Sequence, residues 1–197
     1  PILFGLLLWD SLPEQMTTHW GADGVADGWS GRPFAVFGLP LIMLATHWLC
    51  AFMTAKDPKN RGQNRKVTEL VLWIIPVLNL FLHVMVWLAT FERKVNMAAV
   101  MPLFMGALFV IIGNYLPKCR MNAIMGIKTR TTYSSEANWN ATHRMAGKLW
   151  MAGGMLTVIS SAFDEETMVF ILFAVVLLMA LIPMIYSYSF YRKEKAE

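Results

Sequence analysis

Long apolar runs alternate with short polar segments along this 197-residue chain. A helix needs about 20 apolar residues to cross a bilayer. The runs of about that length lie at residues 33–54, 67–90, 97–116, 146–163 and 167–190. We interpret the shorter run Ile2–Trp9 as the end of a first span whose beginning is missing. The pattern therefore predicts an all-α, polytopic membrane protein with six transmembrane helices.

The polar segments divide the sequence into three predicted parts. Residues 1–54 hold the first two spans and a cap segment at 11–32 that is rich in glycine and aspartate. Residues 55–97 hold a basic loop, the third span and a short second loop. Residues 98–197 hold spans four to six and a polar connector at 117–148.

The connector has helical spacing from Ser134 onward. Two serines precede the first turn and can cap it, and Glu136 lies where the helix dipole favours a negative charge. One helical face carries the residues Glu136, Trp139, His143 and Trp150. This spacing predicts an amphipathic helix along the inner membrane surface that runs into span five.

Two glycine pairs occur in spans four and five. Gly106 and Gly113 are seven residues apart, as are Gly147 and Gly154. Glycine stripes allow membrane helices to approach closely, which predicts close packing of these two spans. The alternative is that glycine is simply common in membrane helices.

Charge orients the predicted spans. Only 15% of the residues are charged and 56% are hydrophobic, whereas a soluble domain has about 25% charged residues. The basic residues concentrate in the loop after span two, in the connector and at the carboxyl terminus; Arg32, Arg93 and Lys94 fall on the other side. The positive-inside rule then places both termini in the cytoplasm and residues 11–32 outside. The net charge of +4 is modest, and we predict no direct nucleic-acid binding.

The cap segment contains His19, Asp23 and Asp27, and histidine and carboxylates are metal ligands. Their spacing does not match a calcium loop, which ends in a glutamate. The alternative is a turn structure in which aspartates accept backbone hydrogen bonds and Trp20 and Trp29 lie at the membrane interface. We favour this folded cap and predict no metal site.

Polar side chains within the spans are costly and indicate a role. His47 lies roughly 20 Å, Asn79 roughly 16 Å and His83 roughly 10 Å below the outer surface at 1.5 Å per residue. These depths favour a His47–Asn79 hydrogen bond over a two-histidine site. The alternative function is a small transporter or membrane enzyme with a site at these residues and Asn114. Histidines bonded to nearby groups are the simpler explanation.

The connector has no recognisable catalytic arrangement. Glu136 and His143 lie about 10 Å apart along the helix axis, which is too far for a hydrogen bond. The sequence also lacks the HExxH motif of metalloproteases. We predict no catalytic residues, no enzyme activity and no cofactor.

Two stretches resemble a known family. The run GIKTRTTYSSEANWNATHRMAGK, with GNYLPK upstream, resembles the carboxyl-terminal module of the SdpI family of bacterial membrane proteins. The stretch LPEQMTTHWGADGVADGW resembles the domain of unknown function that often precedes that module. The chain has Arg130-Thr131 where the family usually has proline and tryptophan, so the turn there departs from the family pattern.

The resemblance implies an immunity protein of the bacterial cytoplasmic membrane that gives resistance to a secreted antimicrobial peptide toxin. In the family's best-known system the protein is also a receptor, which captures a small transcriptional repressor at the inner face. The partners implied are thus the lipid bilayer, a peptide toxin and a cytoplasmic repressor. The expected toxin-facing residues are His19, Gly24, Asp27 and Trp29. The expected inner docking residues are Asn122, Gly126, Lys128, Thr129, Ser135, Glu136, Trp139, Thr142 and His143.

Overall fold

The helices follow the apolar runs of the sequence in the computed structural model, which describes residues 1–93 and 95–196. Lys94, assigned above to an outer loop, lies outside the described residues. The long helices are α2 (Leu39–Lys56), α3 (Arg65–Thr90), α4 (Met97–Tyr115), α5 (Glu136–Ser160) and α6 (Glu165–Glu194), and the short α1 spans Ile2–Leu7. A π-helical turn, Phe34–Gly38, leads into α2, and 3₁₀ turns span Trp9–Ser11, Pro58–Gly62 and Leu116–Lys118.

Four of these helical segments are long and apolar enough to cross a membrane, which confirms a helical membrane protein. They are Phe34–Lys56, Arg65–Thr90, Met97–Lys118 and Glu165–Glu194. The α1 helix has six residues, and the first half of α5 is polar. The count of six spans therefore stays a prediction.

Helix α5 unites two predicted elements. Its N-cap is Ser135, whose side chain accepts a hydrogen bond from the Asn138 amide at 3.0 Å, as the sequence predicted. The helix then runs without a break from Glu136 to Ser160. The predicted surface helix and the predicted fifth span thus belong to one continuous helix and are not separate elements.

The contacts divide the chain into two compact units, Pro1–Phe52 with Val71–Val100, and Met53–Leu70 with Met101–Glu197. We call them unit 1 and unit 2. The boundaries between the two units fall within α2, α3 and α4. They differ from the three-part division expected from the polar segments, and that division remains a prediction.

Unit 1 contains a β-hairpin that the all-helical prediction missed. Strand β1 (Gln15–Trp20) pairs antiparallel with β2 (Ala26–Gly31). The tip turns at Gly24, whose φ of +75° suits glycine, and the Asp23 side chain accepts a hydrogen bond from the Val25 amide at 2.9 Å. An added Cβ at Gly24 would lie 2.5 Å from the Ala98 amide nitrogen. The tip is therefore in close contact with the first turn of α4.

Arg32 fastens the hairpin to the apolar core of unit 1. Its guanidinium donates hydrogen bonds to the carbonyl oxygens of Trp9 (2.7 Å) and Leu12 (3.1 Å). It also lies 4.5 Å from the centre of the Trp9 ring, which is a cation–π distance. The core beneath consists of Leu12, Met16, Ala35, Val36, Val86 and Trp87.

Unit 2 depends on close approach of α4 and α5. A Cβ added to Gly106 would lie 2.6 Å from the Gly154 carbonyl oxygen, and one added to Gly147 would lie 2.7 Å from the Gly113 carbonyl oxygen. Both predicted glycine pairs thus meet backbone to backbone, and the predicted close packing of these helices is confirmed.

Helix α6 packs on another side of α5. A Cβ added to Gly153 would lie 2.7 Å from the Met179 sulfur, and the Trp150 indole donates to the Met179 carbonyl at 3.3 Å. Asp164 caps α6, because its carboxylate accepts hydrogen bonds from the backbone amide and hydroxyl of Thr167. These hydrogen bonds lower the pKa of Asp164.

We expect Gly154→Leu to destabilise unit 2, because the new side chain would overlap the α4 backbone. Overpacking of a tight contact costs about 1–3 kcal/mol. Thermal unfolding of the purified chain in detergent, followed by circular dichroism, measures the effect. The control is Ala152→Leu, an exposed position on the same helix. Equal melting temperatures for the two variants would contradict the close glycine packing.

Candidate functional site

Asn122 organises the loop that connects α4 to α5. Its side chain is fully buried. The side-chain oxygen accepts hydrogen bonds from the amides of Ile124 (2.8 Å) and Met125 (2.6 Å). Its amide group donates to the carbonyl oxygens of Arg120 (2.8 Å) and Met125 (3.2 Å). One buried side chain thus satisfies the backbone of a turn that no helix or strand stabilises.

Trp139 and His143 hold this loop against α5. Both are buried, and their rings stack with centroids 4.1 Å apart. The Trp139 indole donates to the Cys119 carbonyl at 2.8 Å, and the Ile127 amide donates to Nε2 of His143 at 3.0 Å. The two side chains therefore bind both ends of the loop segment 119–127.

The hydrogen bonds of His143 define its protonation state. Nε2 accepts from an amide, so it carries no proton, and Nδ1 donates to the Trp139 carbonyl at 2.8 Å. Burial lowers the pKa of His143, although the bond to the Trp139 carbonyl opposes this shift. The folded loop thus requires the neutral imidazole.

Gly126 makes room for the His143 ring. Its φ is +96°, and an added Cβ would overlap Nε2 of His143. Glycine is therefore needed at position 126 for both its conformation and its size.

The following segment joins α5 to the end of α6. The Thr131 hydroxyl is 2.7 Å from that of Ser187, and the Asn138 amide donates to the Ser187 carbonyl at 2.9 Å. The Ser135 hydroxyl donates to the Glu194 carboxylate at 2.7 Å. At the position where the chain departs from the family pattern, the Thr131 hydroxyl thus lies against α6.

The turn at 129–132 is closed by hydroxyl groups. The buried Thr132 hydroxyl accepts from the Thr129 amide at 2.8 Å and donates to the Thr129 carbonyl at 3.0 Å. The Thr129 hydroxyl in turn accepts from the Thr132 amide at 3.1 Å.

The loop between α2 and α3 also supports the connector, which the sequence did not suggest. The Asp57 carboxylate accepts from the Ala123 amide at 3.0 Å. The Gln63 side chain exchanges two hydrogen bonds with the backbone of Arg120, at 3.0 and 3.1 Å. These contacts link residues about 60 positions apart, so no local sequence pattern could have revealed them.

A polar cleft of about 690 Å³ opens beside these contacts. We call it the inner cleft. It is lined by Lys59, Gly62, Arg120, Met121, Glu136, Trp139 and Asn140. Glu136 and Asn140 are exposed and one turn apart at the start of α5, so their side chains are accessible to a second molecule.

The expected inner docking residues separate into two groups. Asn122, Trp139, Thr142 and His143 are buried and hold the loop together, so they do not form an exposed surface. Gly126, Lys128 and Glu136 are exposed, and Thr129 and Ser135 are half-buried. Lys128 donates to the carbonyl oxygens of Ala123 and Ile124, and it too supports the loop.

The cap presents three of its four expected residues to solvent. The side chains of His19 and Asp27 are hydrogen-bonded, with Nδ1 and a carboxylate oxygen 2.6 Å apart, on the exposed face of the hairpin. Trp29 is 57% exposed and Val25, which the sequence did not single out, is 62% exposed. Gly24 instead packs against α4. In QMTTHW, Met16 and Trp20 fall on one side of a strand and β-branched threonines lie between them. A glycine- and aspartate-rich turn follows, and these are the sequence signals that could have identified this hairpin.

Three of the four polar residues within the spans, His47, Asn79 and His83, belong to unit 1 and do not make the expected contact. The predicted His47–Asn79 hydrogen bond is wrong: His47 Nδ1 and the Asn79 side-chain oxygen have no hydrogen-bond partner among the described residues. His83 Nδ1 instead donates to the Asn79 carbonyl at 2.8 Å within α3. Asn114 lies in unit 2, where it lines a separate groove.

The described part of the chain, residues 1–93 and 95–196, contains no group of three or more histidine, cysteine, aspartate or glutamate residues arranged to hold a metal ion. Cys119 is buried, and burial raises the pKa of its thiol, which disfavours the reactive thiolate.

Comparison with known proteins supports the family resemblance. Residues 118–187 match the SdpI/YfhL protein family, and residues 1–44 match a domain of unknown function, DUF1648. The chain is 26% identical over 191 residues to the immunity protein SdpI of Bacillus subtilis (strain 168), which covers 97% of this chain and 90% of that protein. No solved structure gives a significant match. The resemblance is confirmed, and the apolar helices agree with a multi-pass cell membrane protein.

We expect the connector to lose stability as the pH falls. An unfolded chain protonates His143 near its ordinary pKa of about 6.5, whereas the folded chain does so only at lower pH. The unfolded state thus binds more protons below about pH 6.5, and the free energy of unfolding decreases there. In His143→Gln, the side-chain oxygen can still accept from the Ile127 amide but does not titrate.

Melting temperatures of the purified chain at pH 7.5 and 5.5 test this expectation. The decrease should be smaller in His143→Gln than in the parent protein. His19→Gln is the control, because His19 is exposed and belongs to unit 1. An unchanged pH dependence in His143→Gln would show that other groups are responsible.

Proposed function

We propose that this chain is an immunity protein that gives a bacterium resistance to a secreted antimicrobial peptide toxin. The starting point is that residues 118–187 match the SdpI/YfhL protein family. The observation that carries the proposal is the match to an immunity protein along 97% of the chain, in which both the cap segment and the connector take part. The activity is protective binding at the membrane and not catalysis.

The proposed toxin-facing surface is the exposed face of the hairpin, formed by His19, Val25, Asp27 and Trp29. It combines two exposed apolar side chains with the Asp27 carboxylate, which is 52% exposed and hydrogen-bonded to His19. A membrane-active peptide has apolar and commonly cationic side chains, which complement such a face. The hairpin is held by Arg32 and by the packing of Gly24 on Ala98, so little entropy is lost when this surface binds.

The proposal includes an inner docking site for a small cytoplasmic repressor. We assign it to the inner cleft, where Glu136, Asn140 and Arg120 are exposed. The buried pair Trp139 and His143 would shape this site indirectly, through the loop that they support. In this proposal both chain termini and the connector are cytoplasmic, and the hairpin is extracellular.

We expect outer and inner substitutions to have separate effects. Asp27→Ala with Trp29→Ala should lower the toxin concentration that the cells survive by about 30-fold, because loss of an interface anchor costs about 2 kcal/mol. Glu136→Ala with Asn140→Ala should preserve resistance and reduce recruitment of the repressor to the membrane. Survival and recruitment are scored in parallel in a sensitive bacterium that expresses each variant.

The control for the outer pair is Glu14→Ala with Gln15→Ala, two exposed residues at the base of the hairpin. If the outer and inner pairs always fail together, one shared site replaces the two proposed here. A parent chain that protects against no membrane-active peptide would reject the immunity function.

Labelling with a membrane-impermeant thiol reagent tests the proposed orientation. Ala22→Cys at the exposed hairpin tip should react in intact cells, and Gly62→Cys should react only after the cells are opened. Both positions are exposed, and a side chain at position 62 meets only the end of Arg120, at 3.5 Å. The parent chain, with Cys50 and Cys119, gives the background. Labelling of Gly62→Cys in intact cells would reverse the orientation.

A further inference from the structure

A second concave surface of unit 2 lies where α4, α5 and α6 meet. It is a groove of about 500 Å³, which we call the basic groove. Its walls are Gly113, Asn114, Pro117, Ala141, Arg144, Met145, Gly147, Lys148, Met151 and Tyr186. All of them belong to the same unit, and neither the proposed toxin-facing surface nor the inner cleft includes any of them.

Two cations in this groove have no partner among the described residues. Arg144 and Lys148 are one helical turn apart on α5, and both are exposed. Neither forms an ion pair or hydrogen bond with any residue in the ranges 1–93 and 95–196. No acidic residue is among the groove walls. Two adjacent positive charges therefore face a groove that provides no counter-charge.

The position of the groove along the helices sets its environment. Gly147 contacts the Gly113 carbonyl and the Pro117 ring, at the end of the apolar segment Met97–Lys118. Lys148 follows Gly147 directly, and Arg144 lies about one turn, or 5.4 Å, nearer the connector. The two cations thus lie at the border between hydrocarbon and water, where lipid headgroups are found.

Apart from Asn114, the rest of the wall is mostly apolar. Met145, Met151 and Pro117 present aliphatic surface beside the cations, and Tyr186 of α6 is 38% exposed. A ligand for such a surface needs a negative group near Arg144 and Lys148 and a hydrocarbon part that extends along the helices.

We propose that the basic groove binds an anionic phospholipid, with its headgroup phosphate at Arg144 and Lys148 and an acyl chain over Met151. Basic pockets between transmembrane helices on the cytoplasmic side bind such headgroups. A bound lipid contacts all three helices, so it stabilises the packing of α4 and α6 against α5. This inference does not depend on the proposed immunity function.

Lipid binding to the purified chain in detergent tests the proposal. Native mass spectrometry measures the affinity for phosphatidylglycerol and for phosphatidylcholine with the same acyl chains. The parent chain should prefer phosphatidylglycerol. Arg144→Gln with Lys148→Gln should weaken phosphatidylglycerol binding roughly 10- to 30-fold, from the contribution of two basic residues to anionic lipid binding.

Two further variants separate the groove from general surface charge. Arg192→Gln with Lys193→Gln removes the same charge at the exposed end of α6, outside the groove, and should leave the affinity within about twofold of the parent. Ala141→Trp keeps both cations but fills the groove, and it should weaken binding as the double glutamine variant does. If the double glutamine variant does not fold, Ala141→Trp still tests the proposal.

Three results would overturn the proposal. Equal affinity for the two lipids would show that no anionic headgroup is selected. Equal loss in the α6 control would show that only total charge matters. Displacement of phosphatidylglycerol by inorganic phosphate, beyond that by chloride at matched ionic strength, would assign the cations to a soluble anion instead of a lipid.

Discussion

The close approach of α4 and α5 at Gly113 and Gly147 determines the geometry of the connector. Because no side chain separates the two backbones there, the end of α4 lies beside the early turns of α5. Cys119 then comes within hydrogen-bond distance of Trp139, at 2.8 Å between the carbonyl and the indole. A larger residue at either glycine would separate these partners, and the loop from 119 to 127 would lose its support.

The protein satisfies its polar groups differently in the connector and in the spans. In the connector, buried side chains such as Asn122 and Thr132 pair with backbone groups that lie outside any regular element. Such pairing is required, since an unmatched buried polar group costs about 1–3 kcal/mol. Within the described spans, by contrast, His47, Asn79 and His83 each keep a buried polar atom without a partner. The connector is therefore the part of the chain in which the buried polar groups are paired. Most of it lies in the matched family segment, residues 118–187.

Several features could be predicted because their causes are local or periodic. The apolar runs place the long helices to within a few residues, apart from the polar start of α5, and the serines before Glu136 mark its N-cap. The glycine spacing predicts the α4–α5 contact, because residues seven apart lie on one helical face. The hairpin is not predicted, because the glycine and aspartate residues indicate turns and β1 contains only two apolar residues, Met16 and Trp20.

The sequence by itself determined the membrane class, the helices and the resemblance to the SdpI family, and it indicated the stretches in which functional residues are expected. It could not distinguish buried polar residues from exposed ones within those stretches. Trp139 and His143 share a face with Glu136, yet the tertiary structure buries the first two and exposes the third. The physical reason is that a separate loop, residues 119–127, packs over one part of that face. It leaves the rest of the face open. The contacts of Asp57, Gln63 and Ser187 with the connector likewise join positions about 50 to 65 residues apart, and only folding brings such positions together.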